Sequence, residues 1–339
     1  MKLALLLMNS ALLALGNTAA PLLLRLYFIL GGKRLWFSSW LETGGWPIMI
    51  IPLFISYFYR RRTTAHNTKL FFITPRLFIA SAFLGILTGC DDYMYAYGSD
   101  YLPVSTSSLL ISTQLMFNAI FAFLIVKHKF SSYSINSVFL LTLGAVVLGL
   151  HTSGDRPANE SHLHYMLGFV MTIGAAALYG MVLPLIELTY MKATQEITYT
   201  LVVEMQMVMS FFATAFCTMG MLINHDFQAI PREASEYELG EVKYYVAVVS
   251  AAIMWQFFFL GMVGVISCSS SLHAGVLIAA FIPVTEVLAV FFFREKFGAE
   301  KGVSLALSLW GFGSYLYGEK KKMAKEKQNA KLVKETELA

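Results

Sequence analysis

The sequence predicts an all-α integral membrane protein, with ten transmembrane helices arranged as two inverted five-helix repeats. Three observations lead there: the composition, a series of long apolar runs, and a match between the two halves of the chain. Of 339 residues, 57% are hydrophobic and 14% are charged, where a soluble domain carries about a quarter charged residues. A water-soluble fold is all but excluded.

A helix that crosses a bilayer needs about 20 mainly apolar residues. Runs near 3–30, 44–59, 76–98, 103–126, 134–151, 165–189, 198–223, 243–267, 272–293 and 301–318 qualify. The first opens like a cleavable signal peptide, with Lys2, then Leu3–Leu7 and the small residues Thr18-Ala19-Ala20. Its apolar character continues through Pro21 to about Leu30, so it is expected to be a retained helix. The third and fourth runs are divided by Tyr97-Gly98-Ser99-Asp100 and Pro103, and the eighth and ninth by Ser267-Cys268-Ser269-Ser270-Ser271.

With both termini cytoplasmic, the inner segments hold twice as many Lys and Arg residues as the outer ones, which obeys the positive-inside rule. Arg60-Arg61-Arg62 and the seven lysines between Lys320 and Lys334 are on the inner side. The acidic stretch 224–242 and the sequon Asn159-Glu160-Ser161 fall outside. The lysine-rich tail is expected to lie, unstructured, along the anionic cytoplasmic leaflet.

Residues 113–149 overlay on 280–316 at a constant offset of 167. The register pairs Lys127-His128-Lys129-Phe130 with Arg294-Glu295-Lys296-Phe297, Ala122 with Ala289, Ser137 with Ser304 and Gly144 with Gly311. Identity is low, but the plan is shared: an apolar run, a charged corner, then an apolar run containing glycine. The expected units are residues 1–151, residues 152–318 and a basic tail, 319–339. Five spans per half is an odd number, so the second half enters the membrane upside down, as in carriers that bind substrate between inverted repeats.

Several stretches resemble the plant purine permease family, within the drug/metabolite transporter superfamily. They are Gly16-Asn17 with Pro21-Leu22-Leu23-Leu24-Arg25-Leu26-Tyr27-Phe28, Trp40-Leu41-Glu42-Thr43-Gly44-Gly45-Trp46-Pro47, and Tyr101-Leu102-Pro103-Val104-Ser105-Thr106-Ser107-Ser108-Leu109-Leu110 with Gln114-Leu115. Pro283-Val284-Thr285-Glu286-Val287 and Glu300-Lys301-Gly302-Val303-Ser304-Leu305 complete the set. The resemblance implies ten helices and proton-coupled uptake of adenine, cytokinins or related purine derivatives, with the plasma membrane as the expected setting. Relatives that carry alkaloids or vitamin-like bases keep those substrates open.

Ionisable groups inside a membrane are costly, about 2.5–3.5 kcal/mol each on insertion scales, and usually face a cavity or a partner. Asp91 and Asp92 in the third run, Glu204 in the seventh and Glu286 in the ninth are the proton-coupling candidates; Glu187 lies near the end of the sixth. Asp91 and Asp92 are about 100° apart on a helix, so one can pair with a neighbour while the other lines a path. Glu204 equally suits a helix N-terminus. Glu286 follows Pro283, where a kink frees a backbone carbonyl. Arg25 closes the first run and is expected to snorkel to the interface.

A purine needs a flat slot with donors and acceptors at its edge. Gln114 and Asn118, four apart on one helix face, supply amides that pair with a base edge or with a neighbouring helix. Trp255-Gln256 offer a ring and an amide at one depth, and Tyr93 and Tyr97 form another one-face pair; aromatic stacking on a base is worth about 1–3 kcal/mol. The repeat sets Asn118 at the depth of Thr285-Glu286. Cys90, Cys217 and Cys268 read as packing residues.

Nothing in the sequence resembles an enzyme centre, a metal site or a cofactor-binding loop, so neither an enzyme nor a cofactor is expected. Basic residues sit in loops and the tail rather than on one face, which argues against nucleic acid. The expected partners are a purine-like small molecule, protons and the lipid bilayer. Competing readings are a carrier of nucleotide sugars, which calls for cationic groups in the cavity, and a pore or non-transporting scaffold.

Overall fold

The structure, a computed structural model, describes residues 2–63, 69–101, 110–111, 113–151, 162–293 and 298–337. Among the described residues the chain is helical and contains no strand. Its helices are α1 (Lys2–Ile29), α2 (Leu35–Gly44), α3 (Ile50–Thr63), α4 (Pro75–Tyr101), α5 (Gln114–Val126) and α6 (Ser132–His151). They continue with α7 (His162–Met191), α8 (Tyr199–Ile223), α9 (Asp226–Glu236), α10 (Glu241–Cys268), α11 (Ser271–Phe293) and α12 (Ala299–Glu337).

Among the described residues, seven segments are long and apolar enough to cross a membrane: Leu3–Ile29, Leu35–Arg62, Pro75–Gly98, Tyr165–Met191, Tyr199–Ile223, Glu241–Cys268 and Ser271–Phe293. The outer faces agree. Phe291, Phe292 and Trp310 are 76%, 71% and 74% exposed, an apolar surface that water would penalise and lipid accepts. The protein is a multi-pass membrane protein.

Three expectations change. The second span begins at Leu35 rather than at 44, because its polar first turns are buried: Ser38, Ser39, Glu42 and Thr43 all pack inside. That span is also discontinuous. α2 stops at Gly44, a 3₁₀ turn covers Trp46–Met49, with Pro47 in its first positions, and α3 resumes at Ile50. The tail, expected without structure, continues α12 as helix through Glu337.

Of the other expected spans, 103–126 appears as the shorter apolar helix Gln114–Val126, with 102–109 outside the described residues. The runs 134–151 and 301–318 fall on α6 and α12. The expected outer loop 224–242 is not loose chain either, since it folds into α9.

α1 lies along α10, α4 along α7 and α8, α5 along α7, and α6 along α12. α2 rests on α4, α8 and α10, while α11 is surrounded by α1, α5, α6, α7, α10 and α12. The α1–α10 approach is close enough to exclude side chains. A Cβ at Gly16 would stand 2.2 Å from the Phe258 nitrogen, and one at Gly261 would stand 2.3 Å from the Leu13 nitrogen. In a bilayer, helices associate by such contact of small residues. The main core then collects Leu13, Leu84, Leu183, Ile186, Val202, Met209, Val263 and Leu277 from six helices.

Candidate functional site

Asn17 and Pro21 set the first wall of the site. Proline has no N–H, so Pro21 leaves the Asn17 carbonyl without its helical partner. Thr285 Oγ1 of α11 reaches that carbonyl at 3.4 Å, and Asn17 Nδ2 donates to the Ile278 carbonyl at 3.0 Å. The kink in α1 is thereby tied to α11. Thr285 therefore meets Asn17 rather than Asn118, which donates to the Ser271 carbonyl at 3.1 Å at the start of α11.

The second wall comes from the break after α2. Gln256 Nε2 donates to the carbonyls of Thr43 at 3.0 Å and Glu42 at 3.4 Å, satisfying backbone that the helix end leaves open. Gln256 Oε1 accepts from Ser210 Oγ at 3.3 Å, and the Thr43 and Thr214 hydroxyls lie 3.1 Å apart. Ser39 Oγ contacts the Asp92 carbonyl at 3.3 Å, joining α2 to α4. These bonds hold Ser38 and Glu42, one helical turn apart, on one face.

Between the walls lies a cavity of about 680 Å³, reached by α1, α2, α4, α5, α7, α10 and α11. Its lining runs from mid-helix toward the end of the bundle that holds the C-termini of α1 and α4 and the N-terminus of α2. The volume falls in the ~300–1,000 Å³ range of pockets that take drug-sized ligands. One side is aromatic: Tyr179, Trp255, Phe258 and Phe259, with Tyr179 stacked on Phe258 at 6.4 Å and Trp255 edge-on to it at 5.4 Å. The other side carries Glu42, Asp91 and Asp92, which are 4%, 7% and 3% exposed. The Glu42 and Asp92 carboxyl groups are neighbours on this side.

Four polar atoms on this lining are buried without a protein partner: Asp91 Oδ1, Asp92 Oδ2, Tyr179 Oη and Trp255 Nε1. Unpaired buried polar groups are costly unless something else meets them. Here all four belong to residues that line a space large enough for a ligand. The Asp91 carboxyl calls for a donor, an indole N–H calls for an acceptor, and the aromatic side calls for a flat partner. Arg25 also lines this wall, with its guanidinium 5.4 Å from the centre of the Phe293 ring.

Of the residues singled out in the sequence, Asp91, Asp92, Gln114 and Trp255 come together on the cavity. The others serve elsewhere. Asn118 and Gln256 are fully buried interhelical ties. Tyr93 stacks on Trp36 at 3.8 Å and neighbours Tyr97 at 6.2 Å. Glu204 Oε2 accepts from the Phe72 and Ile73 nitrogens, each at 2.8 Å, and so holds the chain entering α4. α8 itself is capped by Thr198. Glu286 lies on α11, but its side chain falls outside the described residues.

Sequence reasoning passed over Glu42, Asn17, Tyr95 and Tyr179 as site residues, all of which line the cavity. Glu42 had a signal. From Leu35 to Gly44, Ser38 and Glu42 recur at helical spacing among Trp and Phe, a pattern that a hydropathy window discards because its mean is low.

Comparison with known proteins bears on the same chain. The family model for purine nucleobase transmembrane transport (PUNUT) matches residues 4–325. Purine permease 3 of Arabidopsis thaliana is 54% identical over 318 residues, covering 93% of this chain and 91% of the relative. Purine permease 2 of the same plant is 50% identical over 340 residues, covering 96% and 95%. A protein of known crystal structure superposes with a TM-score of 0.62 at 13% identity, covering 93% of this chain and 97% of that one, so it shares the fold. The chain belongs to the purine permease family of purine nucleobase transmembrane transporters.

Proposed function

We propose that this chain is a secondary active carrier that imports purine-like bases, such as adenine, cytokinins or related purine derivatives, by proton symport with alternating access. The observation that carries this reading is the cavity, which is lined by an aromatic group and three carboxyl groups, several of whose polar atoms have no protein partner. A base stacks on Phe258 and Tyr179, places its N–H groups against Asp91, and accepts through a ring nitrogen from the edge of Trp255, where the indole N–H lies. Gln114 adds an amide at the rim. The carboxyl groups supply the proton site.

The ten-span, two-unit plan (1–151 and 152–318, with the tail 319–339) belongs to the same proposal. Its support is a reciprocal contact between α6 and α12. A Cβ at Gly144 would lie 3.1 Å from the Ser304 carbonyl, and one at Gly311 would lie 3.3 Å from the Ser137 carbonyl. The repeat pairs Gly144 with Gly311 and Ser137 with Ser304, so each member touches the counterpart of the other's partner, as a two-fold relation requires. The packing of α1 on α10 and of α7 on α4 fits the same operation. We place both termini on the cytoplasmic side and the protein in the plasma membrane, consistent with the excess of Lys and Arg in the inner segments.

Three carboxyl groups against one guanidinium favour a neutral or cationic guest, which supports a protonated alkaloid or a vitamin-like base as the second reading and disfavours a nucleotide sugar. The test is uptake of labelled adenine and trans-zeatin by cells expressing the protein, with competitors and with and without a protonophore. Saturable, competed uptake that collapses with the proton gradient is expected. Non-saturating flux would replace the carrier with a pore, and flux indifferent to the protonophore would remove proton coupling.

A further inference from the structure

Resting on the carrier proposed above, we infer that the driving proton binds between Glu42 and Asp92, while Asp91 is left to meet the substrate. The division follows from how the three groups are held. The Glu42 and Asp92 carboxyl groups are neighbours across the α2–α4 contact, both buried on one cavity wall. Two carboxylates side by side in a buried site repel, so one of them keeps a proton. The pair is a one-proton site by construction, and its protons belong to the pair rather than to either residue. Asp91 has no such partner: it lines the cavity, and its buried Oδ1 receives no donor from the protein.

The backbone beneath Glu42 is fixed for this task. Gln256 binds the Glu42 and Thr43 carbonyls, and Ser39 ties α2 to the Asp92 carbonyl, so the two carboxyl groups stay opposed only while α2, α4 and α10 are packed together. α2 ends two residues later at the Gly44-Gly45 break, where the span can bend. The groups that face the pair are Asp91, Cys90 and Tyr95 on α4, Tyr179 on α7, Cys217 on α8 and Arg25 on α1. Arg25 is the cation of this wall, against three carboxyl groups. Sealing the cavity over unshared negative charge opposes closure, so occlusion follows protonation of the pair. Release on the far side leaves two carboxylates that repel, and the α2–α4 contact loosens. One proton enters from the outer solution with each base and leaves to the cytoplasm with it.

The test uses the full-length protein in liposomes with an entrapped pH dye. An inward gradient of one pH unit supports about a tenfold accumulation of a neutral base in one-to-one symport. Wild type is expected to approach that ratio and to move protons with substrate. Glu42→Gln and Asp92→Asn are expected to equilibrate substrate without accumulating it, to lose substrate-linked proton entry, and still to exchange labelled for unlabelled adenine. Asp91→Asn is expected to lose exchange as well. If Glu42→Gln does not fold, Asp92→Asn decides, since the same loss is required of it. Proton-linked accumulation that survives in either folded variant overturns the inference. So does a sodium gradient that replaces the proton gradient in wild type. Absence of any adenine transport by wild type would instead defeat the carrier itself.

Discussion

Tyr179 and Trp255 show how single residues test the site. The Tyr179 hydroxyl and the Trp255 indole N–H are buried with no protein partner. Deleting an unsatisfied hydroxyl from a core is neutral or stabilising. Deleting one that meets a substrate costs an ordinary hydrogen bond, up to about tenfold in affinity. Tyr179→Phe is therefore expected to raise the KM for adenine severalfold while the detergent-solubilised protein melts at the same or a higher temperature. A structural role would lower the melting temperature as the KM rises, which separates the two. Trp255→Phe keeps a ring and removes only the donor, so it should weaken adenine more than a base lacking the facing ring nitrogen. The acids Asp91 and Asp92 were legible because charge inside an apolar run is conspicuous. Tyr179 was not, because any one ring among many is more often packing, and only the fold shows which ring faces empty space.

At the scale of elements, α9 does work that its polar sequence conceals. Glu233 on α9 accepts from Tyr27 Oη at 2.5 Å, Tyr244 Oη at 3.1 Å and the Lys33 nitrogen at 3.2 Å. Arg34 lies 3.9 Å from Glu233 and 3.5 Å from Asp226. One short helix thus clamps the end of α1, the start of α2 and the start of α10, beside the cavity. Removing a carboxylate with three donors leaves them unpaired, a loss on the order of 3–5 kcal/mol for a buried charged partner. Glu233→Ala should lower the melting temperature by roughly 6 to 20 °C at about 2–4 °C per kcal/mol; a shift below 2 °C would remove the clamp. The stretch 224–242 was legible only as acidic and external. Its amphipathic helix depends on partners far away in sequence, Tyr27 and Arg34, that no local pattern announces. The long apolar helices were the easy part, because their length is set by the bilayer and not by neighbours. The α2 break fell between these cases, since burial hid the cost of its polar residues.

Among the described residues of the whole molecule, three side-chain bonds join the helices at the end of the bundle opposite the cavity. Ser271 N donates to Glu187 Oε2 at 2.7 Å, Tyr199 Oη to Asn9 Oδ1 at 3.2 Å, and Tyr190 Oη to the Val263 carbonyl at 3.4 Å. With α1, α7, α8, α10 and α11 joined there, the cavity lining lies toward the other face, the outer one in the proposed topology. A carrier that alternates must trade these contacts for others of similar worth, so the two states differ by little and one bond can shift the balance. A hydrogen bond to a charged group is worth about 1.5–3 kcal/mol, and each 1.4 kcal/mol changes a two-state ratio about tenfold. Glu187→Ala should therefore move the population at least tenfold toward the state open to the cytoplasm. The measurement is thiol labelling at Ala96→Cys, a cavity position, with Cys90, Cys217 and Cys268 replaced by serine. An impermeant reagent should label Ala96→Cys from outside in the parent, and mainly from the cytoplasmic side once Glu187 is removed. Unchanged sidedness would mean that Glu187 does not hold the closed end, and labelling from both sides at once in the parent would replace alternating access with a continuous pore.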